Sequence, residues 1–193
     1  MVKLTIDGKP VEVPEGTTIL EAARKAGIYI PTLCYLEKIE PIGSCRICVV
    51  EVEGLRNPVT SCNTPVRDGI VVTTQSERLT ALRKEALQFL LIDHPLDCPV
   101  CDKAGECRLQ DLVFELDVVN QPFSVEPVEQ KIDYSSPLIE RYSSRCIRCM
   151  RCVNVCWEVQ GFGAYRLSGS GYETLIDTLN GEPLNCDFCG QCI

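Results

Sequence analysis

The chain has 193 residues, of which 45% are hydrophobic and 24% are charged, a composition typical of globular domains. Its net charge of -8 disfavours nucleic acid and anionic lipid as partners, because both bind clustered lysine and arginine. The longest apolar run, around Phe89 to Ile92, is far shorter than the roughly 20 residues of a membrane span, and no secretion signal is visible. We therefore expect no direct membrane insertion, and a cytoplasmic location or one on the cytoplasmic side of a membrane complex.

The first elements of the chain are predicted to be a hairpin and a helix. Apolar and polar residues alternate over residues 2–7 and again over 11–13, which predicts two strands joined by a turn at Gly8–Lys9. Thr17 or Thr18 can cap a helix, and Glu21 completes a capping-box pattern with Thr18 in front of an apolar stripe, which predicts that a helix begins there.

Cysteine is the unusual component of the composition, with fourteen cysteines beside a single histidine. They fall into four groups, each of which contains a C-x2-C pair; such a pair directs two thiolates at one soft metal centre. Disulfides are disfavoured in a reducing cytoplasm, and zinc bound by two such pairs is the alternative metal. The run C-x2-C-x2-C-x3-C from Cys146 to Cys156 favours iron–sulfur clusters, because bacterial ferredoxins enclose a cubane with it.

The first cysteine group lies between the predicted helix and two further strands, which start at Ile47 and Ile70. These elements would form a small mixed sheet crossed by one helix, which resembles the beta-grasp fold of plant-type [2Fe-2S] ferredoxins. The cysteine spacing differs, however, since the first interval has ten residues. The four cysteines of the group are Cys34, Cys45, Cys48 and Cys62.

The longer interval and the motif GSCRICVVEVEG at residues 43–54 resemble a domain shared by four kinds of enzyme. These are the large peripheral iron–sulfur subunit of respiratory complex I, diaphorase subunits of NAD-reducing hydrogenases, iron-only hydrogenases and NAD-dependent formate dehydrogenases. The resemblance implies that this first group of cysteines binds one [2Fe-2S] cluster.

A second module follows a helix that is predicted over Ser76–Ile92. Its apolar face would hold Leu79, Leu82, Ala86, Phe89 and Leu90, with the charged residues opposite. The helix leads into DHPLDCPVCDKAGEC, which resembles the [4Fe-4S] motif of the same families and implies the ligands His94, Cys98, Cys101 and Cys107. A neutral imidazole ligand favours the reduced form of a cluster. Asp93 is either a hydrogen-bond partner of the imidazole or solvent-exposed.

A short helix over Arg108–Leu116 and a segment without periodicity, around Pro122, Pro127 and Pro137, complete the middle of the chain. We expect an α+β protein in which a small helical cluster domain with one His and three Cys ligands lies between two ferredoxin-like domains. The predicted parts are a beta-grasp [2Fe-2S] domain (1–76), the helical [4Fe-4S] domain (77–120), a connector (121–142) and a bacterial two-cluster ferredoxin-like domain (143–193).

In bacterial ferredoxins the fourth cysteine of the run binds the other cluster. This rule predicts one complete [4Fe-4S] site formed by Cys156, Cys186, Cys189 and Cys192. It leaves Cys146, Cys149 and Cys152 as a [4Fe-4S] site without a fourth ligand in this chain. The fourteen cysteines and one histidine supply fifteen ligands, one fewer than four complete sites need, which favours a fragment of a longer polypeptide over an unusual ligand.

Three arginines, Arg145, Arg148 and Arg151, alternate with these cysteines and either tune a cluster or face solvent or a partner. The chain shows no nucleotide, flavin or catalytic-triad signature, so it has no predicted catalytic residues.

One [2Fe-2S] and two to three [4Fe-4S] clusters in one small chain predict an electron relay. The resemblance implies that this relay is a component of an NAD(P)(H)-linked oxidoreductase complex. The resemblance implies a flavoprotein partner that binds NAD(P) and FMN, and a terminal catalytic or quinone-linked subunit or domain. The segment CWEVQGFGAYRLSGSGYET at 156–174 most resembles formate dehydrogenases, so these rank first, then hydrogenases or diaphorases, then complex I. The alternatives are a free-standing polyferredoxin and a zinc-stabilised interaction module.

Overall fold

A computed structural model describes residues 1–125 and 132–193, so Pro127 of the predicted connector lies outside the described residues. The chain divides into two compact units. The first comprises Met1–Tyr35, Pro41–Phe89 and Gly105–Pro122, and the second comprises Leu36–Glu40, Leu90–Ala104 and Phe123–Ile193. In the described part of the chain, no helix has both the length and the apolar character that a membrane span requires.

The first unit is built on a five-stranded sheet. Its strands are β1 (Val2–Ile6), β2 (Lys9–Val13), β3 (Val49–Val52), β4 (Val59–Thr60) and β5 (Val71–Thr73), in the order β2-β1-β5-β3-β4. Strand β1 pairs parallel with β5, and the other neighbours pair antiparallel. The hairpin turn lies at Asp7–Gly8 and not at Gly8–Lys9 as predicted. Asp7 and Gly8 both have the positive φ that a tight hairpin turn requires.

The predicted capping box is present at the start of helix α1 (Ile19–Lys25). The Thr18 amide donates to Glu21 Oε2 at 2.8 Å, and the Glu21 amide donates to Thr18 Oγ1 at 3.3 Å. The buried face of α1 packs into the core of the sheet, and Cys48 and Cys62 belong to this same core. The fold thus places two predicted cluster ligands inside its hydrophobic interior.

Two helices complete the first unit, α2 (Glu77–Leu90) and α3 (Arg108–Glu115). The buried stripe of α2 runs through Leu79, Arg83 and Leu87 and therefore differs from the predicted apolar face. Phe89, a member of the predicted face, is 58% exposed. The stripe includes an arginine, so hydrophobic periodicity could not locate it.

The second unit contains two short antiparallel strand pairs, β6 (Ile132–Asp133) with β7 (Arg141–Tyr142) and β8 (Tyr165–Ser168) with β9 (Leu175–Thr178). Helix α4 (Arg151–Asn154) continues directly into a π-helical turn at Val155–Val159. Arg141 joins the two pairs, because its Nη2 donates to Asp133 Oδ2 and Asp177 Oδ1, both at 2.9 Å. The segment predicted as a connector therefore contains β6 and β7.

Candidate metal centres

The first predicted ligand set lies entirely in the first unit. Cys34, Cys45, Cys48 and Cys62 are all buried, with at most 8% of each residue exposed. A hydrogen bond with the Cys34 thiol lowers the pKa of Cys45 to about 6, and one with the Cys62 thiol lowers the pKa of Cys48 to about 7. The pKa values of the two partner thiols are raised by the same hydrogen bonds and by burial. The structure thus brings four thiols together and favours the thiolate, the form that binds metal, at Cys45 and Cys48.

Backbone geometry at the first cysteine loop allows close approach of neighbouring groups. Gly43 has a φ of +65°, and a Cβ at this position would lie 2.9 Å from Asn63 Nδ2 and 3.1 Å from Thr60 Oγ1. Asn63 directly follows Cys62, so Gly43 packs against the segment that carries this ligand. A side chain at residue 43 would displace the side chains of Asn63 and Thr60, which hydrogen-bond to each other.

We expect Gly43→Ala to destabilise the protein by more than the roughly 1–2 kcal/mol that a left-handed backbone costs a non-glycine residue. Gly54→Ala is the matched control, because Gly54 has a φ of +83° and a Cβ there would meet nothing within 4 Å. Thermal unfolding and the [2Fe-2S] content of both variants measure the effect. Equal losses in the two variants would show that the contact with Asn63 is unimportant.

The second predicted set has members in both units: His94, Cys98 and Cys101 belong to the second and Cys107 to the first. The four-residue site therefore stays a prediction from sequence. His94 Nδ1 is buried and has no hydrogen-bond partner among the described residues. Burial lowers the pKa of His94 and favours the neutral imidazole, the form that binds metals. A buried nitrogen without a partner fits a metal ligand, since burial of an unsatisfied polar atom is otherwise unfavourable.

Two arginines of the C-terminal cysteine run pair with the acids that flank His94. Arg148 Nη2 lies 2.6 Å from Asp93 Oδ2, and Arg145 Nη2 lies 2.7 Å from Asp97 Oδ2. Asp93 is therefore neither an imidazole partner nor solvent-exposed, because its carboxylate accepts from the Arg148 guanidinium. These ion pairs fix the His94 loop to the Cys146–Cys149 loop within the second unit.

Six of the seven C-terminal cysteines, all but Cys149, line two neighbouring cavities. One, of about 20 Å³, is lined by Cys156, Cys186, Cys189 and Cys192. The other, of about 200 Å³, is lined by Cys146, Cys152 and Cys192. Burial raises the pKa of Cys192, and the charges of Cys186, Cys189 and Cys156 raise it further. Cys156 thus lies with the last three cysteines, and Cys192 borders both cavities.

Several residues inside the C-x2-C loops adopt the left-handed backbone conformation without being glycine. They are Arg46, Arg148, Met150 and Phe188, with φ between 54° and 64°. Such turns direct successive amides towards one point, which suits an anionic cluster. Backbone amides accordingly donate to thiol sulfurs, from Arg148 to Cys146 at 3.4 Å and from Phe188 to Cys186 at 3.2 Å. Sequence analysis missed this feature, because non-glycine residues rarely adopt it.

Within residues 1–125 and 132–193, no three His, Cys, Asp or Glu side chains are placed to hold a single metal ion. A tetrahedral zinc site with Zn–S bonds of about 2.3 Å requires its thiolates within roughly 4 Å of one another. A cluster divides its ligands among several irons, so this observation bears on a single bound ion and not on a cluster.

Models of known families match three consecutive parts of the chain. A 2Fe-2S iron-sulfur cluster binding domain matches residues 1–77, and an NADH-ubiquinone oxidoreductase-G iron-sulfur binding region matches 83–122. The ferredoxin-like domain of NADH-quinone oxidoreductase subunit 3 matches 136–193. One [2Fe-2S] domain is thus followed by [4Fe-4S] binding regions, which confirms the predicted cofactor types and their order.

Curated relatives align with the whole chain. It is 52% identical to an NADPH-Fe(3+) oxidoreductase subunit alpha of Geobacter sulfurreducens and 42% identical to a G-type subunit of NADH-quinone oxidoreductase from Rhizobium meliloti, and it spans 23% of the length of each. It is 43% identical to an NADP-reducing hydrogenase subunit HndD of Solidesulfovibrio fructosivorans and spans 34% of that relative. The chain thus covers only 23–34% of the length of these proteins.

A solved structure has the same fold. A chain in the crystal structure of an NAD+-reducing [NiFe]-hydrogenase in the H2-reduced state superposes with a TM-score of 0.85 at 34% identity. The match covers 92% of this chain and 74% of the other. It confirms the predicted α+β fold.

Proposed function

The chain belongs to the family of iron–sulfur electron-transfer modules shared by G-type subunits of NADH-quinone oxidoreductase and NAD(P)-linked hydrogenase subunits, and we propose that it relays electrons between a flavoprotein and a terminal redox site. Its bound clusters would supply one-electron storage. The remaining work of the chain is to hold the clusters, exclude water and set their potentials.

The ligand sets that we propose follow the sequence, and burial supports the first of them, whose four cysteines are all buried. The [2Fe-2S] cluster would be held by Cys34, Cys45, Cys48 and Cys62, and the first [4Fe-4S] cluster by His94, Cys98, Cys101 and Cys107. A second [4Fe-4S] cluster would be held by Cys156, Cys186, Cys189 and Cys192, and a third by Cys146, Cys149 and Cys152 with a ligand still to be identified.

The observation that carries this proposal is the pair of adjoining cavities in the second unit. Both are lined by Ile139, Tyr165 and Cys192, so two cysteine-lined sites share a wall. Burial raises the pKa of Tyr165, and the neighbouring thiolates raise it further, so its hydroxyl stays protonated. Two redox sites with a common wall suit electron transfer, because electron transfer needs a short distance between sites. A metal with a purely structural role does not require a second site nearby.

We infer two partners. A flavoprotein that binds NAD(P) and FMN would exchange electron pairs with the nicotinamide and single electrons with this chain. The second partner is a terminal catalytic or quinone-linked subunit or domain, and the sequence resemblance ranked formate dehydrogenase first. The relatives above are named for Fe(3+), quinone or hydrogenase chemistry, so we now favour a hydrogenase or quinone-linked terminus over formate. We place the chain in the cytoplasm or at the cytoplasmic side of a membrane complex.

Reduction of the anaerobically reconstituted chain tests the proposal. We expect NADH or NADPH alone to produce no EPR signal of reduced clusters, because the sequence has no nucleotide-binding signature. Addition of an NADH-oxidising flavoprotein together with NADH should produce the same signals as dithionite. The flavoprotein without NADH is the control. Reduction by NADH alone, or by dithionite only, would contradict the proposal.

A further inference from the structure

Arg83 of α2 is a buried cation without a buried acid beside it. It is 3% exposed, and it is the one charged residue in the buried class among the residues that the structure describes. No ion pair to Arg83 is found in this described part of the chain. Burying a charge is costly unless it is compensated, so the position of this guanidinium calls for a compensating partner.

The contacts of Arg83 are with the backbone on both sides of a predicted cluster ligand. Its Nε donates to the carbonyl of Ile47 at 3.2 Å, and its Nη2 donates to the carbonyl of Val49 at 2.7 Å. A third bond, from Nη2 to the carbonyl of Thr74 at 2.9 Å, ties the same guanidinium to the chain beyond β5. Residues 47 and 49 flank Cys48, so the guanidinium binds the backbone on either side of this predicted ligand.

Charge complements this geometry. Burial lowers the pKa of Arg83, and the charge of Cys48 is the largest influence that opposes this effect. An arginine remains protonated in such surroundings because its ordinary pKa is so high. A [2Fe-2S] cluster with four thiolates is an anion that gains one further negative charge on reduction. A fixed cation beside it therefore stabilises the reduced form more than the oxidised form.

We propose that Arg83 is the built-in counter-charge of the [2Fe-2S] site, holding the Cys48 segment in place and raising the reduction potential of the cluster. This inference rests on the ligand set proposed above. It gives α2 a role in electron transfer that neither its helical pattern nor its family match assigns.

The neighbouring residue provides a matched control. Lys84 lies on the same helix and carries the same charge, and its Nζ donates to the Asp117 carbonyl at 3.3 Å in an exposed hydrogen bond. Both residues border one cavity of about 380 Å³ in the first unit. Lys84 is half-buried, but its Nζ lies in a solvent-exposed hydrogen bond, so removal of its charge should leave the cluster potential nearly unchanged.

The experiment is an EPR-monitored redox titration of the reconstituted chain, read at temperatures where only the slowly relaxing [2Fe-2S] signal persists. We expect Arg83→Gln to lower the midpoint potential by about 59 mV or more, the shift produced by a tenfold change in a one-electron equilibrium. Arg83→Lys, which keeps the charge, should move it by less than half as much, and Lys84→Gln by still less. An Arg83→Gln shift no larger than that of Lys84→Gln, or an equal shift in Arg83→Lys, would overturn the inference.

Failure of cluster assembly is also informative. Loss of the [2Fe-2S] signal in Arg83→Gln with retention in Arg83→Lys would support the need for the cation. Loss in both variants, with Lys84→Gln intact, would overturn the electrostatic role and leave Arg83 a structural clamp. A wild-type chain without any [2Fe-2S] signal would refute the proposed function instead, so the two failures are distinguishable.

Discussion

Cys156→Ala is expected to remove one complete [4Fe-4S] cluster, about four iron and four sulfide per chain, and to leave the Cys146 site affected only indirectly. The reason is the position of Cys156 in the fold. Its sulfur accepts the Ala164 amide at 3.2 Å and borders the small cavity that Cys186, Cys189 and Cys192 also line. The other cavity is lined by Cys146 and Cys152 but not by Cys156. Iron and labile-sulfide analysis of the reconstituted chain measures the loss.

Double variants make this test independent of the absolute cluster content. If Cys156 and Cys189 serve one cluster, Cys156→Ala combined with Cys189→Ala should lose no more iron than either single variant. Cys156→Ala combined with Cys146→Ala should lose about twice as much, because the two residues would serve different clusters. The uncrossed arrangement, in which Cys146 and Cys156 share a cluster, predicts the reverse pattern. Observation of that reverse pattern would refute the crossed topology.

The sequence predicted those parts of the fold that are determined locally. The capping box at Thr18 and Glu21 needs only residues three apart, and the hairpin of β1 and β2 needs one turn. Strands β4, β6 and β7 have two residues each, which is too short for any alternation to be recognised. They exist because neighbouring segments supply their hydrogen-bond partners.

The candidate metal centres also combine features that local sequence determines with features that depend on distant parts of the chain. Cysteine spacing, read with the rule for bacterial ferredoxins, predicts that Cys156 separates from the run in which it lies, and Cys156 lines the small cavity together with the last three cysteines. The roles of Arg83, Asp93 and Arg148 depend on contacts between residues far apart in the chain, for example 55 positions between Arg148 and Asp93. A charged residue on a helix is usually solvent-exposed, so no sequence pattern distinguishes the buried Arg83 from the half-buried Lys84.

His94→Cys is expected to lower the reduction potential of one [4Fe-4S] cluster by roughly 100 mV or more, as thiolate replaces neutral imidazole. The buried Nδ1 without a partner and the lowered pKa of His94 both favour the neutral ring as a ligand. EPR-monitored redox titration measures the shift. Asp97→Asn is the control, because Asp97 lies near His94 and carries a charge but is held by Arg145 in an ion pair. Its shift should be much smaller.

A second measurement identifies the ligand directly. His94 is the single histidine of the chain, so any hyperfine coupling between a reduced cluster and an imidazole nitrogen must come from this residue. We expect pulsed EPR to detect such coupling in the wild-type chain and in Asp97→Asn, and to find none in His94→Cys. Because a thiolate can complete the site, His94→Cys should still retain its iron, and this separates loss of the nitrogen ligand from loss of the cluster. A wild-type spectrum without nitrogen coupling, together with unchanged potentials in His94→Cys, would show that His94 is not a ligand.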